Sequence, residues 1–324
     1  MAQNMILTGV TGCLGMGVLK ELSSKYRIWG VTREGSDLGT VSQFIPKDRL
    51  MTYESFEGKM AEFDQEEFVI VHAAAAREAT KGDRDFQSNL KLTRFALNMT
   101  EHLKVKLFVQ ISSCSVMGDL HDGLRDEGVT PTPDSKYGAS KLACETMVKE
   151  WCQSSDISYT ILRPPLIYGE HDRGAMAEII TRIQSSKWVL LGAGRNEKSF
   201  LFNRNLAHAI DLCINQVEKA DGETFIVTDH QDQSIGNLSL QIGQELGIAE
   251  PRFRSVPRFV ARLCMGILKN TGISFLVEFG FNIDRLMRNN TYSARKISKT
   301  LGYSPKYSML DGVKAELNWL RSRS

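Results

Sequence analysis

The chain has 324 residues, of which 42% are hydrophobic and 24% charged, and its formal net charge is +2. These values are ordinary for a globular protein and leave room for one large α/β domain with a smaller lobe. Lysine and arginine are mixed with aspartate and glutamate and form no basic block, so we expect no nucleic-acid partner.

The cysteines and the apolar segments indicate the compartment. Six cysteines are scattered without a CxxC pair, which disfavours a zinc site and is typical of reduced thiols in a cytoplasmic protein. The N-terminus lacks the basic and apolar regions of a signal peptide. The late segment VPRFVARLCMGILKNTGISFLVEFGF is interrupted by charges, so we predict cap helices and no membrane span, with contact to a membrane surface as a second reading.

The first predicted element is the strand MILTGV, which leads directly into the glycine-rich segment TGVTGCLG. Gly9, Gly12 and Gly15 have the spacing GxxGxxG at a predicted strand-to-helix turn. Glycines there let backbone amides approach a pyrophosphate, and the following helix N-terminus offers unpaired N–H groups. A turn that needs glycine only for its shape is the alternative. The strand–turn–helix context favours dinucleotide binding.

The second predicted strand, RIWGVTRE, carries the residues that distinguish NADP from NAD. An acidic residue at this point binds the ribose 2′-hydroxyl of NAD, whereas an arginine accommodates the 2′-phosphate of NADP. Arg33 offers a guanidinium with bidentate geometry for that phosphate. Glu34 follows it, so NAD stays possible. We predict NADP as the preferred cofactor.

Further strands and helices alternate along the chain up to about residue 170. They are the strand FVIVHAAA, a helix through 88–104, the strand KLFVQISS, a helix containing SKYGASK and the strand SYTILRPPLIYG. Buried strands separated by helices predict βαβ units and a parallel sheet that is covered on both faces. We therefore predict an α/β, Rossmann-type doubly wound domain of residues 1–165 plus about 200–230. Residues of about 166–199 and 231–324 would form a smaller substrate-capping lobe.

The segment SKYGASK places a tyrosine four residues before a lysine. On a helix, Tyr137 and Lys141 would share one face, with their Cβ atoms about 5–6 Å apart. A free phenol has a pKa of about 10, and a cation about 4–5 Å away favours its ionised form by roughly 3–4 kcal/mol. The pair could serve proton transfer, or it could be an ordinary surface pair.

Segments along nearly the whole chain resemble, in order, the motifs of the extended short-chain dehydrogenase/reductase family. TGVTGCLG is similar to its TGxxGxxG loop, VHAAAA to HxAA and SNLKLT to NxxxT. ISSCSVMG is similar to SSxxVYG, YGASK to YxxxK and LRPPLIYGE to LRPxxIYG. The resemblance implies the Rossmann fold predicted above, a nicotinamide cofactor and a homodimer formed through the helix that bears Tyr137.

The resemblance also implies roles for individual residues. Tyr137 would be the general acid/base, Lys141 would supply the cation and hold the ribose hydroxyls, and Ser113 would donate a hydrogen bond to the substrate oxygen. Ser112 is the second choice for that last role. The implied cofactor-binding residues are Gly9, Thr11, Gly12, Cys13, Leu14, Gly15, Arg33, Ala73, Ala74, Asn89, Tyr137, Lys141 and Pro164.

Three polar residues have competing interpretations. Asn89 could stabilise the middle of its helix and hold a water near Lys141, or be an ordinary polar helix residue. His72 ends an apolar strand and is predicted to be a hydrogen-bonded core histidine. His171 lies in GEHDR, whose adjacent polar residues lack ligand spacing, so no metal site is predicted.

The substrate is less well indicated than the chemistry. Nucleotide-sugar members of the family often carry asparagine where this chain has Leu166, and FLFNRN with Asn205 is more similar to the 3β-hydroxysteroid and sterol dehydrogenase branch. A diphosphate could still be met by an arginine, and the candidates are Arg182, Arg195 and Arg204. Apolar residues of the predicted cap fit a hydrophobic substrate or an ordinary core, and they are Phe253, Phe259, Met265, Phe275 and Phe279.

The sequence thus predicts an NAD(P)-dependent oxidoreductase that transfers a hydride between nicotinamide and a secondary alcohol or ketone. A nucleotide-sugar epimerase, dehydratase or reductase with the same catalytic residues is the first alternative. A non-catalytic NADP-sensing protein is the second, and it is disfavoured because such proteins usually lose the tyrosine or the lysine that this chain keeps.

Overall fold

The computed structural model describes residues 2–59, 63, 66–76, 83–118, 123–249, 251–269 and 287–323. Its strands are β1 (Gln3–Thr8), β2 (Tyr26–Thr32), β3 (Leu50–Thr52), β4 (Glu67–His72), β5 (Lys104–Ile111), β6 (Leu124–Arg125), β7 (Tyr159–Arg163), β8 (Leu166–Tyr168), β9 (Val189–Leu191), β10 (Glu197–Lys198), β11 (Phe200–Phe202), β12 (Thr224–Ile226), β13 (Gln233–Ser234), β14 (Arg254–Val256) and β15 (Thr291–Tyr292). Its helices are α1 (Cys13–Leu22), α2 (Tyr53–Glu57), α3 (Asp83–Asn98), α4 (Lys136–Ser154), α5 (Ala175–Gln184), α6 (Asn203–Asn215), α7 (Val217–Ala220), α8 (Ile235–Glu245), α9 (Arg258–Lys269), α10 (Arg295–Leu301) and α11 (Met309–Arg321). Short 3₁₀ turns lie at Val41–Gln43, Lys47–Arg49, Met99–Glu101, Cys114–Met117 and Gly192–Gly194.

A seven-stranded sheet with the order β12-β7-β5-β4-β1-β2-β3 forms the centre of the described structure. All of its neighbouring strands pair in parallel. Alternate side chains of β1 enter opposite layers: Met5 and Leu7 join one core cluster, and Ile6 joins the other. Burial of both faces explains why the strands read as continuous apolar runs. The predicted Rossmann-type α/β fold is confirmed.

The order of the strands reverses between β1 and β4. From β1 the chain proceeds through β2 to β3 on one side, and from β4 through β5 and β7 to β12 on the other. In open α/β sheets, ligands bind in the crevice at the carboxyl ends of the strands beside such a reversal. The glycine loop follows β1 and the Ala73–Ala76 segment follows β4, so both predicted cofactor segments border this crevice.

Another apolar cluster lies away from the sheet and unites α5, α8 and α11. Its buried members include Tyr168, Ile180, Leu238 and Val313. Helix α10 contributes Ile297 and Leu301 to a cluster that also contains residues of the sheet. The boundaries of the two domains stay predictions. In the described part of the chain, no helix combines the length and apolar content that a membrane crossing requires.

Candidate active site

The glycine loop between β1 and α1 leaves no room for side chains at two positions. Gly9 has a φ of 73°, and a Cβ there would lie 2.8 Å from the Cα of Ala74. A Cβ on Gly15 would lie 2.4 Å from the carbonyl oxygen of Val10. Glycine at position 9 therefore lets the loop approach the segment after β4, and glycine at position 15 lets the first turn of α1 lie against the loop itself.

The N-terminus of α1 is suited to an anion. Its cap residue, Gly12, makes no side-chain hydrogen bond, and the first turn contains no acidic residue. Such a helix start presents backbone N–H groups and the positive end of the helix dipole. Cys13 and Leu14 are buried and Thr11 is half-buried, so the side chains at this turn pack into the protein interior. These residues fit the pyrophosphate of a dinucleotide.

Arg33 follows β2 directly and its side chain is exposed. Burial raises the pKa of the nearby Tyr53 phenol to about 12, and the positive charge of Arg33 opposes that rise. The guanidinium thus lies close enough to Tyr53 to influence the pKa of its phenol. Glu34 is exposed as well.

Asn89 joins the segment after β4 to α4. Its Oδ1 accepts a hydrogen bond of 2.7 Å from the amide of Ala76, and its Nδ2 donates to Ser140 Oγ at 2.9 Å. Both partners lie outside α3, so these bonds connect α3 to two other parts of the fold. The expected roles of Asn89, stabilising the middle of its helix and holding a water near Lys141, stay predictions.

The first turn of α4 is held against the 3₁₀ turn Cys114–Met117. Ser135 caps the helix by accepting a hydrogen bond of 3.0 Å from the amide of Gly138. A Cβ on Gly138 would lie only 2.3 Å from the carbonyl oxygen of Ser115. The glycine between the tyrosine and the lysine therefore lets the helix approach the serine-bearing turn.

Tyr137 and Lys141 lie on one face of α4, as their spacing predicts. The Lys141 ammonium is 6.0 Å from the centroid of the Tyr137 ring. Lys141 is only 4% exposed, and its Nζ donates a hydrogen bond of 2.9 Å to the carbonyl oxygen of Ile111. Tyr137 is half-buried. The arrangement places a fixed cation beside an accessible phenol at the carboxyl end of β5.

The two adjacent serines after β5 have different surroundings. Ser112 Oγ donates to Glu145 Oε1 at 2.5 Å, and the same carboxylate receives two hydrogen bonds from Arg163. Ser113 bonds within its own turn, where Oγ accepts from the amide of Ser115 at 3.1 Å. Ser112 is thus committed to a buried ion pair, which leaves Ser113 as the better candidate for contact with substrate.

His72 is a core residue. It is 1% exposed, its Nδ1 lies 2.8 Å from Thr8 Oγ1, and its Nε2 lies 3.2 Å from Thr93 Oγ1. Burial, reinforced by the charge of Lys141, lowers its pKa to about 3. The prediction of a hydrogen-bonded core histidine is confirmed, and the ring adds no charge near Lys141 at neutral pH.

Two residues that we considered for the substrate have structural partners instead. Arg204 binds Glu21 at 2.5 Å and the hydroxyl of Tyr307 at 2.7 Å. Asn205 is fully buried and donates to Asp229 Oδ1 at 2.7 Å. These side chains hold the start of α6 to neighbouring segments, so neither supports a choice between the sterol and sugar branches.

The remaining candidate arginines are exposed. Arg182 pairs with Glu178 at 2.6 Å on the surface of α5. Arg195 lines a cleft of about 270 Å³ together with Ser234, Asn237 and Phe253. Arg195 therefore borders a concave space.

The predicted apolar cap has no single environment. Phe253 packs against the cluster of α5, α8 and α11, whereas Phe259 is 72% exposed. Phe275, Phe279 and the side chain of Met265 lie outside the described residues. The interpretation of Phe259 as a core residue is wrong.

Sequence reasoning missed Glu145, the carboxylate that binds Ser112 and Arg163. It is 1% exposed, and Arg163 is almost as deeply buried, at 4%. Glu145 lies four residues after Lys141, and that spacing could have placed it on the same helix face. Its partners lie just after β5 and at the end of β7, which the spacing alone does not reveal.

A model of the family described as NAD dependent epimerase/dehydratase matches residues 5–228. The chain is 26% identical to the N-acetyl-alpha-D-glucosaminyl-diphospho-ditrans,octacis-undecaprenol 4-epimerase of Escherichia coli, covering 98% of this chain and 96% of that protein. It is 25% identical to a decarboxylating sterol-4-alpha-carboxylate 3-dehydrogenase of Saccharomyces cerevisiae, covering 78% of this chain and 76% of that one. The proteins similar to this chain therefore include both a sugar epimerase and a sterol dehydrogenase.

Solved structures share the fold. A UDP-glucuronic acid 4-epimerase from Bacillus cereus in complex with NAD has a TM-score of 0.76 at 20% identity, covering 99% of both chains. A UDP-glucose 4-epimerase from Thermotoga maritima, solved with UDP-glucose, has the same TM-score, identity and coverage.

Proposed function

The chain belongs to the NAD dependent epimerase/dehydratase family, and on that premise we propose that it is an NAD(P)-dependent enzyme acting at a secondary alcohol or ketone. Tyr137, Lys141 and Ser113 are the proposed catalytic residues. The observation that carries this proposal is the buried Lys141 ammonium, held by the Ile111 carbonyl 6.0 Å from the Tyr137 ring.

The proposed cofactor site is the crevice between β1 and β4. The amides of the loop from Gly9 to Gly15 would hold the pyrophosphate, with Ala73, Ala74 and Pro164 along the walls of the crevice. The fit is supported by the closed cradle at Gly9 and Gly15, which a Cβ would fill. A bound nicotinamide would donate or accept the hydride.

The residues of this chain would handle the proton. Tyr137 exchanges the proton of the substrate oxygen, and Lys141 stabilises the phenolate that forms when the tyrosine is deprotonated. Ser113 donates a hydrogen bond to the same substrate oxygen and stabilises the charge that develops there. Because His72 stays neutral, Lys141 does not face a second positive charge from that ring.

We propose NADP as the preferred cofactor, with Arg33 taking the 2′-phosphate. Its exposed guanidinium at the end of β2 supports this assignment. NAD is the alternative, since the family is described as NAD dependent and the similar Bacillus cereus epimerase was solved with NAD.

Replacing Tyr137 with phenylalanine tests the chemical step. We expect kcat to fall by about a hundredfold or more, because general acid–base catalysis contributes on that scale, while cofactor affinity stays within about twofold. The measurement is reduced-nicotinamide absorbance with a panel of secondary alcohols and ketones, alongside cofactor titration. Tyr26→Phe is the matched control, since Tyr26 begins β2, at the opposite end of the sheet from the candidate site, and donates to the buried Asp211.

Unchanged turnover in Tyr137→Phe would show that the proposed mechanism is wrong. Cofactor binding by the wild type without turnover of any alcohol, ketone or nucleotide sugar would favour a cofactor-sensing protein.

A nucleotide-sugar or lipid-linked-sugar 4-epimerase is the second candidate. It is supported by the Escherichia coli 4-epimerase and by a UDP-glucose 4-epimerase of Vibrio cholerae, which is 25% identical over 97% of this chain. In such a reaction the ketone formed from the sugar would stay bound and turn its other face to the reduced nicotinamide. The hydride would then be returned to the sugar, so no reduced cofactor would be released. Epimer formation followed by NMR without net absorbance change would identify it, whereas stoichiometric release of reduced cofactor would identify a dehydrogenase.

A thermal-shift panel narrows the substrate class. A ligand present at about 100 times its Kd stabilises the native state by about 2.7 kcal/mol. Stabilisation by UDP or dTDP would favour a nucleotide sugar, and stabilisation by sterol-like alcohols would favour the dehydrogenase branch.

We further propose a homodimer through α4 and a neighbouring helix in a cytoplasmic protein. All six cysteines are free, which is consistent with a reducing compartment. Sedimentation velocity measures the oligomeric state directly.

A further inference from the structure

Helix α9 presents an apolar face to solvent. Phe259, Leu263 and Ile267 are 72%, 64% and 60% exposed. They follow one another at intervals of four residues, so they form a single stripe along the helix. Scattered apolar residues are normal on a protein surface, but a continuous stripe marks a site of contact.

The stripe lies in a basic part of the chain. Residues 251–269 carry five positive charges, from Arg252, Arg254, Arg258, Arg262 and Lys269, and no acidic residue. The formal charge of the whole chain is only +2, so the remainder is net negative. An exposed apolar stripe bordered by cations has the composition of a helix that lies in the interface of a membrane.

The opposite side of α9 is fixed to the protein. Ala261 is 3% exposed, and Arg258 donates a hydrogen bond of 3.1 Å to the carbonyl oxygen of Met287. The strand before the helix, β14, pairs with β9 in parallel. The exposed stripe is therefore presented by an anchored helix with a defined inner face.

We propose that α9 docks the enzyme on an anionic lipid surface. The apolar stripe would enter the boundary between headgroups and acyl chains, and the arginines would meet lipid phosphates. The charge distribution favours this occupant over a second copy of the chain. A two-fold interface places the same patch on both sides, so the cations of residues 251–269 would face their own copies in a segment that contains no acidic residue.

Vesicle binding tests the proposal directly. The full-length protein with its cofactor is mixed with phosphatidylcholine vesicles containing about one third phosphatidylglycerol, and the bound fraction is measured by co-sedimentation. We expect binding at about 0.05 M salt, at least about tenfold weaker binding to pure phosphatidylcholine, and strong weakening near 0.5 M salt.

Two variants separate the apolar and charged contributions. The triple variant Phe259→Ser, Leu263→Ser, Ile267→Ser should bind at least about tenfold more weakly, and Arg262→Glu should lose most of the dependence on anionic lipid. The matched control is Leu310→Ser, whose side chain is 37% exposed on α11. Circular dichroism melting shows whether each variant is folded.

Cys264 offers a second readout that needs no substitution. It is exposed on α9, whereas the other five cysteines are buried. A polarity-sensitive thiol dye at Cys264 should shift its emission to shorter wavelength on vesicles containing phosphatidylglycerol, because the helix then leaves water.

Equal binding by the wild type and the triple variant would overturn the proposal, as would an unshifted dye on saturating vesicles. The proposal would also be overturned if the wild type bound no vesicles and formed an oligomer that dissociates in the triple variant. The stripe would then be the contact with a second copy of the chain.

Discussion

Two adjacent serines after β5 illustrate how neighbouring residues acquire different roles. Ser112 points to the buried pair of Glu145 and Arg163, where its hydroxyl donates to a carboxylate. Ser113 precedes the 3₁₀ turn Cys114–Met117, and its hydroxyl accepts a hydrogen bond from the amide of Ser115 within that turn. At residue scale, a one-residue step along an extended backbone reverses the side to which a side chain points.

Alanine substitutions distinguish the two serines. We expect Ser113→Ala to lower kcat by about tenfold to a thousandfold, because it removes a donor to the developing charge. Ser112→Ala should lower the free energy of unfolding by about 1–3 kcal/mol, because it removes a hydrogen bond to a buried carboxylate, and kcat should change less. Steady-state kinetics and urea unfolding of both variants decide the assignment. The opposite pattern would exchange the roles.

The proposed preference for NADP depends on one side chain. Arg33→Ala should weaken NADP binding by about tenfold or more, since a charge-assisted hydrogen bond to phosphate is lost, and should leave NAD binding nearly unchanged. Isothermal titration with both cofactors measures the two affinities. Equal loss for both cofactors would mean that Arg33 does not read the 2′-phosphate.

At the scale of elements, the candidate site depends on how closely α4 approaches the turn after β5. Gly138 stands where the two meet, and its missing side chain sets their separation. The same contact fixes Tyr137 and Lys141 relative to Ser113. Packing of backbone against backbone therefore positions the three proposed catalytic residues.

Gly138→Ala should disturb both stability and catalysis. The added Cβ would lie 2.3 Å from the carbonyl oxygen of Ser115, so α4 or the turn must move. We expect a loss of about 1–3 kcal/mol in the free energy of unfolding and a clear fall in kcat. Gly266→Ala on α9 is the control, since nothing lies within 4 Å of its Cβ position. That variant should be neutral or more stable by up to about 1 kcal/mol.

At the scale of the whole molecule, α11 joins the cluster of α5 and α8 to the segment beside the glycine loop. Glu316 on α11 is fully buried and accepts a hydrogen bond of 3.0 Å from the amide of Gly169. Asn203 in turn donates to the carbonyl oxygen of Cys13 at 2.8 Å. Polar contacts at the junction thus connect the C-terminal helix with the start of α1.

The ionisation of Glu316 makes this junction sensitive to pH. Burial, together with the charge of Asp172, raises the pKa of Glu316 from 4.5 to about 9. Between about pH 4.5 and pH 9 the folded state therefore keeps a proton on Glu316 that the unfolded chain has already released. The free energy of unfolding consequently falls as pH rises through that range.

Glu316→Gln tests the contribution of that proton. The amide mimics the neutral acid, so we expect the variant to be more stable than wild type at pH 8 by at least about 1 kcal/mol and similar to it near pH 4.5. Thermal unfolding from pH 4.5 to pH 9 gives both curves. Parallel curves would show that Glu316 does not ionise differently on folding.

The fold and the local features of the candidate site could be predicted from sequence because short-range geometry determines them. Strand and helix periodicity gave the parallel Rossmann sheet, and the spacing of four placed Tyr137 and Lys141 on one helix face. Boundaries were less accurate: the helix predicted through 88–104 spans Asp83–Asn98, because β5 already begins at Lys104 to pair with β4.

Partners from distant parts of the chain were decided only by the tertiary structure. No local pattern indicates that Arg204 binds Glu21, that Glu145 binds Ser112 and Arg163, or that Phe259 faces solvent. The sequence determines which backbone conformations and helix faces are possible, since sterics and periodicity act over a few residues. Which groups meet, and which stay exposed, depends on how the layers pack, since those contacts join residues far apart in the chain.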